Sequence, residues 1–323
     1  MNTGVFEILV LGSNGALPAY DRYPSSQVLN LHEHLILLDC GEASQFQMRK
    51  YGVKFSRIQH VFISHLHGDH VYGLPGLITS YMLLGRTEPL HVYGPPGIEE
   101  YLEFTLSKTS MQPPYPLHVH TIHQFYGDKI MENEHMTVTS LPLDHKIACC
   151  GFLIREKRPR KKLNTDKIKS LNISIEKWKL IEAGRDVAAD DGQLYTNEQL
   201  VLPDEPLRAY AYCSDTRYTR EILPFIQGVS LLYHETTYLS EMEDLAHAHG
   251  HSTAAQAARV ADQARAKWLM AGHYSSRYAD LEPILKECQS IFSPTLLAVE
   301  GQKVSILPDE TLRIAQCVNG QFS

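Results

Sequence analysis

The sequence predicts an α+β chain in which two β-rich halves, each followed by helices, pack as a sandwich of two sheets with helices outside. Three observations predict it. Short β-branched runs alternate with helical stretches through the first half, the rhythm breaks between about residues 155 and 207, and it resumes from Ala209. The 323 residues suffice for one large domain carrying an insertion, and a composition of 43% hydrophobic and 21% charged residues is that of an ordinary globular chain. No run approaches the roughly eighteen apolar residues that a membrane span needs.

Taken in order, Glu7–Leu11 reads as a first strand leading into the loop Gly12-Ser13-Asn14-Gly15. Val28–Leu31 and Leu35–Asp39 form a hairpin around Glu33-His34, and a helix covers Ser44–Tyr51. Ile58–Ile63 is a buried strand, Leu74–Leu84 a helix, and Leu90–Tyr93 a strand stopped by Gly94-Pro95-Pro96-Gly97. A helix near Ile98–Ser107 precedes strands at Leu117–Ile122, Met136–Leu141 and Cys150–Ile154. After the break come strand Ala209–Cys213, helix Arg220–Ile226, strand Val229–His234, an Ala-rich helix over Thr253–Ala266, strand Trp268–Ala271 and helix Leu281–Cys288. The domain reading is therefore a main domain of residues 1–154 and 208–323 with an arm of 155–207 inserted into it.

Charge is uneven. Residues 155–169 hold Arg155, Lys157, Arg158, Arg160, Lys161, Lys162, Lys167 and Lys169 against Glu156 and Asp166, so this segment is +6 within a chain of net charge −7. Such a patch on an acidic body can bind phosphate locally, although a solvated loop would look the same. The six cysteines include no Cys-x-x-Cys pair and read as reduced, mostly buried thiols. The N-terminal run Val5–Leu11 contains an acid and has no basic flank, unlike a secretory signal. A cytoplasmic protein is expected.

The decisive segment is Ser64-His65-Leu66-His67-Gly68-Asp69-His70, directly after a buried strand. Imidazole and carboxylate are ligands that zinc and its neighbours accept. At this chain's own His and Asp frequencies the pattern H-x-H-x-D-H arises by chance about twice in a thousand such chains, so metal binding is the preferred reading. One loop cannot close two coordination spheres. Further ligands are expected at the ends of other strands, and His145, Asp215 and His273 each follow one. Seven ligands divide into two sites if one carboxylate bridges.

These residues resemble the metallo-β-lactamase superfamily and, more narrowly, the short form of the tRNase Z family. The narrowing features are Gly73-Leu74-Pro75-Gly76 behind the histidine loop, Asp39-Cys40-Gly41-Glu42, His234-Glu235-Thr236-Thr237, His251-Ser252-Thr253 opening a helix, and Ser276-Arg277-Tyr278. The similarity runs over about residues 5–300. It implies an αββα sandwich with two Zn²⁺ per subunit, manganese or another divalent ion being the alternative. His65, His67 and His145 would hold one ion, Asp69, His70 and His273 the other, with Asp215 bridging. It also implies a homodimer in which one subunit's arm holds the precursor tRNA that the other cuts. The family's arm carries a glycine-proline pair, and 155–207 has none, so the arm here is atypical.

The chemistry follows from such a site. Paired divalent ions supply hydroxide at neutral pH and polarise a phosphodiester. Asp69 is read as proton acceptor from the nucleophile, His251 as the acid that protonates the leaving ribose 3′-oxygen, and Glu235 as the carboxylate that orients His251. Ser252 or Thr253 caps the following helix, and that N-terminus could instead receive phosphate. With Arg158, Lys161 and Lys162 these form the expected substrate contacts. The expected activity is removal of 3′ trailers from tRNA precursors, leaving a tRNA 3′-hydroxyl and a 5′-phosphorylated trailer. The alternatives are another hydrolase of the fold (a small phosphodiesterase or thioesterase) and an RNA-binding scaffold without catalysis. His118 and His120, with His123 nearby, mimic a metal set but lack partner carboxylates and read as surface positions. His60 and His91 show no convergent pattern along the chain.

Overall fold

The computed structural model describes residues 4–110, 112–157, 161–203, 206–318 and 321–322. The first half of the chain builds β1 (Phe6–Gly12), β2 (Ser26–Leu31), β3 (His34–Leu38), β4 (His60–Phe62), β5 (Leu90–Gly94), β6 (Leu117–Thr121), β7 (Lys129–Glu132), β8 (Met136–Pro142) and β9 (Cys150–Glu156). The second half adds β10 (Val187–Ala188), β11 (Leu194–Tyr195), β12 (Ala209–Cys213), β13 (Leu231–Glu235), β14 (Leu269–Gly272), β15 (Thr295–Leu297), β16 (Gln302–Ile306), β17 (Leu312–Val318) and β18 (Gln321–Phe322). Among the described residues one sheet has the order β18-β17-β16-β1-β2-β3-β4-β5-β6 and the other β15-β14-β13-β12-β9-β8-β7.

Alternation along each strand sends one set of side chains inward and the other outward. In β1, Phe6, Ile8 and Val10 join Phe62, Phe152, Tyr210, Tyr212, Tyr233 and Met270 in the core between the sheets. Leu9 and Leu11 face the other way, into a second core with Leu74, Leu77, Ile78, Ile98 and Leu102 of helices Gly73–Leu83 and Ile98–Lys108. A third core packs Ala211, Cys213, Leu232 and Leu269 against helices Ala254–Gln263 and Glu282–Ile291. This is the expected αββα sandwich. The Ala-rich face of helix Ala254–Gln263 has a physical purpose: Ala254, Ala257, Ala258 and Ala261 are buried, so the helix backbone lies close against the sheet.

Strand direction decides where the site forms. β3, β4, β5 and β6 are mutually parallel, as are β12, β13, β14 and β15. β8 is antiparallel to β9, which is antiparallel to β12, so β8 runs with β12. The residues that follow β3, β4, β8, β12 and β14 therefore all emerge at one edge of the sandwich.

Residues 155–207 leave from the opposite end, where Arg155 pairs with Ala209. The stem is clamped by a buried ion pair: Arg208 donates Nε–H to Glu156 Oε2 at 3.0 Å and Nη2–H to Glu156 Oε1 at 2.6 Å. Arg208 also donates to the carbonyls of Ile306 and Gly4. Beyond the stem, Ile168, Ile173, Ile181, Val187 and Leu200 form a small core of the arm's own. The sequence reading passed over β7, the two arm strands and the C-terminal strands β15–β18. Among the described residues no helix is long and apolar enough to cross a membrane.

Candidate metal centre

The loop after β4 carries His65 and His67, and the short helix Gly68–Val71 carries Asp69 and His70. Asp39, after β3, is a buried hub in the left-handed region (φ 53°). It accepts hydrogen bonds from the Ser64 amide (2.7 Å), the Ser64 hydroxyl (2.9 Å) and Tyr212 (2.8 Å), and its Oδ2 lies 2.8 Å from His70 Nδ1. This contact places the His70 proton on Nδ1 and leaves Nε2 facing inward.

The same logic orients the other rings, since a partner on one imidazole nitrogen fixes which nitrogen is left for a ligand. His145 Nδ1 donates to the Gly250 carbonyl at 2.7 Å, and His145 Nε2 lies 3.1 Å from His67 Nδ1. His65 Nδ1 meets Ser64 Oγ at 3.0 Å, and its Nε2 lies 3.0 Å from His67 Nδ1. His273 Nδ1 meets Thr237 Oγ1 at 2.9 Å, and its Nε2 is 3.3 Å from His70 Nε2. Asp215 stands between the two groups. Its Oδ2 faces His65 (3.6 Å) and His145 (3.9 Å), and its Oδ1 faces His70 (3.3 Å) and His273 (3.0 Å).

Two groups of donors could thus each hold an ion: His65, His67, His145 and Asp215, and Asp69, His70 and His273. Nitrogen lone pairs converging on one point repel unless a cation sits between them, so the donor chemistry fits a divalent metal at both places. All seven ligands expected from the sequence come together. His251 offers a third grouping with Asp215 and His273.

Electrostatics follow the same division. Burial would raise Asp69 and Asp215, yet the neighbouring histidines hold both carboxyls below their ordinary range. Burial lowers His65. His70 is pushed up, because Asp215, Asp69 and Asp39 surround it and outweigh its burial.

The expected acid and its carboxylate also meet. His251 Nδ1 lies 2.9 Å from Glu235 Oε1, and Glu235 is fully buried at the end of β13. Burial alone would lower His251, but Glu235, Asp215 and Asp69 together raise it to about 9. Thr237 Oγ1 donates to Glu235 Oε2 at 2.5 Å, which ties this pair to His273. Ser252 and Thr253 are both fully buried. Ser252 Oγ donates to the Thr216 carbonyl, while Thr253 forms a capping box with Gln256, so both hydroxyls are engaged within the fold. Lys161 and Lys162 lie exposed on the arm; Arg158 falls outside the described residues.

A cleft of about 660 Å³ opens over the cluster. Tyr72, Lys146 and His249 line it and were not singled out from the sequence as site residues. His249 ends helix Glu243–His249, next to the His251 motif, and its Nδ1 meets Tyr238 OH at 3.0 Å.

Comparison with known proteins bears on the whole chain. Ribonuclease Z of Porphyromonas gingivalis is 44% identical over 301 residues, which are 93% of this chain and 99% of that one. The chain belongs to the ribonuclease Z family. Ribonuclease Z of Cytophaga hutchinsonii is 42% identical over 92% of this chain and 95% of that protein. The crystal structure of the short form of human tRNase Z superposes with a TM-score of 0.67 at 26% identity, covering 93% of this chain and 99% of that one. A family model described as anti-Pycsar protein Apyc1 matches residues 6–169, which contain the histidine loop and His145 but stop short of Asp215, Glu235, His251 and His273. The full-length ribonuclease Z relatives span both halves of the centre.

Proposed function

We propose that this chain is a metal-dependent endoribonuclease that removes the 3′ trailer from tRNA precursors, with two zinc ions per subunit. The observation that carries the reading is Asp215, whose two oxygens face the two histidine groups from one position. Family membership supplies the class of reaction.

Two divalent cations bound there would supply Lewis acidity toward a phosphoryl oxygen and lower the pKa of an attacking water. The chain's own groups do the rest. Asp69, whose Oδ2 also accepts the Ala16 amide at 2.6 Å, takes the proton of the attacking water. The bond from phosphorus to the ribose 3′-oxygen breaks as the new phosphorus–oxygen bond forms, and His251 delivers a proton to the departing oxygen. Glu235 holds His251 by Nδ1, so Nε2 is the nitrogen that meets substrate. The products are a tRNA 3′-hydroxyl and a 5′-phosphate on the trailer.

The arm, residues 155–207, is the proposed tRNA-holding element, with Lys161, Lys162 and Arg158 contacting backbone. Ala209, at its stem, is six residues from Asp215, or about 20 Å of extended strand. An arm rooted that far from its own centre suits a homodimer in which it holds the tRNA for the partner's site. Exposed Phe46, Leu83 and Phe104 on the helices outside the first sheet, with Leu84 just after one of them, support a second copy as partner. The six cysteines form no bridge, which supports a cytoplasmic location.

The test sets a 3′-labelled tRNA precursor beside a generic phosphodiester, with the metal content of the protein measured in parallel. Trailer release supports the proposal. Turnover of the small ester alone supports a small-molecule hydrolase, and metal and RNA binding without cleavage of either supports a scaffold.

A further inference from the structure

The histidines left over from the metal centre are not scattered. In register across β4, β5 and β6, His60 pairs with His91, His91 with His118, and Tyr93 with His120. Neighbouring strands lie about 4.8 Å apart, so in-register rings must stack. They do. Ring centroids are 5.1 Å apart for His60–His91 and 4.9 Å for His91–His118, and 5.3 Å for the diagonal pair His91–His120, with interplanar angles of 18–23°. His118 and His120 are exposed, as the sequence implied, but the convergence on His91 and His60 arises only through sheet register.

Within this row His91 Nδ1 and His120 Nε2 face each other at 3.0 Å. The same separation, 3.0–3.3 Å, relates the imidazole nitrogens of the metal centre. It is close to what two nitrogens about 2.0–2.1 Å from a shared tetrahedral ion would show. The groups acting on His91 and His120 are partial burial and other histidines, which hold both rings below the ordinary histidine range and so neutral and ligand-competent near pH 7.

We propose that His91 and His120 form a second, peripheral binding site for a borderline divalent transition metal of the nickel, copper and zinc group, with His118 recruited from its stack as a third ligand. Imidazole donors without carboxylate favour these ions over magnesium or calcium. Two fixed donors leave water positions open, so the site is weaker than the buried centre and exchangeable. It is also separate from that centre: His91 is in register with His60, at the end of β4 opposite His65, and His120 lies on β6, the edge strand two strands away from β4.

The test uses full-length protein whose buried centre is already loaded with Zn²⁺, titrated with further Zn²⁺ by calorimetry at neutral pH. Cu²⁺ is added in a parallel sample read by electron paramagnetic resonance. The wild type is expected to take up one additional ion per chain, and Cu²⁺ to show superhyperfine coupling to imidazole nitrogen. The double variant His91→Asn, His120→Asn is expected to lose that uptake at least tenfold, with thermal melting, tightly bound zinc and RNA cleavage unchanged. His118→Asn should weaken the uptake less. Absence of additional uptake in the wild type, or equal uptake by the double variant, would overturn the proposal and leave the His91–His120 contact as a hydrogen bond alone.

Discussion

His251 and Glu235 meet at 2.9 Å through Nδ1 and Oε1, a contact that joins the turn just before helix Ala254–Gln263 to the end of β13, 16 residues earlier. The contact engages Nδ1 and leaves Nε2, and Glu235, with Asp215 and Asp69, raises the ring to about 9 against the effect of burial. His251→Ala is predicted to lower the cleavage rate by about 10²–10⁴-fold, the usual worth of a general acid. Bound metal, measured by elemental analysis, should stay the same. Loss of metal would make His251 a ligand, in the grouping it can form with Asp215 and His273. Glu235→Gln should move the alkaline limb of the pH–rate profile to lower pH.

Removing Arg208 probes the stem of the arm. Arg208→Met removes the guanidinium from Glu156, buried at 1% exposure, and leaves it His32, whose Nε2 lies 2.9 Å from Oε1. Breaking a buried pair from one side costs up to about 3–5 kcal/mol, the upper end applying where no second partner remains. Urea unfolding should show a loss of that size. A change below about 1 kcal/mol would mean that the clamp does not hold the stem.

Stability should also report on His60. Burial, then His91 and His120, push it down to about 4. The unfolded chain titrates at the ordinary histidine value, so between that value and about 4 it binds more protons than the folded protein. The stabilisation is therefore complete above the ordinary histidine range and is lost as pH falls toward 4. His60→Asn should make the fall in Tm from about pH 7 to about pH 5 shallower than in the wild type. An equal fall in both proteins would contradict the assignment.

Lys161→Ala with Lys162→Ala tests the arm's role in holding RNA. Each phosphate contact removed from a structured duplex reduces the slope of log affinity against log salt by about 0.9. The double variant should bind precursor tRNA more weakly and with a slope shallower by up to about 2, while hydrolysis of a small phosphodiester is unchanged. An unchanged slope would place the tRNA contacts elsewhere.

The site was legible because its chemistry is concentrated. Three histidines and an aspartate within six residues announce a metal, and His145, Asp215 and His273 stand where strands of one direction end. Glu235 and His251 were legible through the resemblance carried by His234-Glu235-Thr236-Thr237 and His251-Ser252-Thr253. Other parts depend on contacts that no local pattern encodes. Asp39 becomes the partner of His70 through a strand pairing 31 residues away in sequence, and Thr237 links Glu235 to His273 only once β13 and β14 lie side by side. The row from His60 to His120 exists only in the register of three parallel strands. Helix ends shifted by a few residues, as at Arg220–Ile226, where the helix spans Leu223–Ile226 around Pro224. β15–β18 follow the last ligand, and β16 joins the first sheet only by pairing with β1, 298 residues away between Glu7 and Ser305.

The most direct measurement maps both new ends after the metal-loaded protein meets a tRNA precursor with a 3′ trailer, with Asp69→Ala as control. A single cut just after the discriminator base is predicted, giving a 3′-hydroxyl on the tRNA and a 5′-phosphate on the trailer, with Asp69→Ala abolishing it. No cut, from protein that holds two metal ions and turns over a small phosphodiester, would contradict the account.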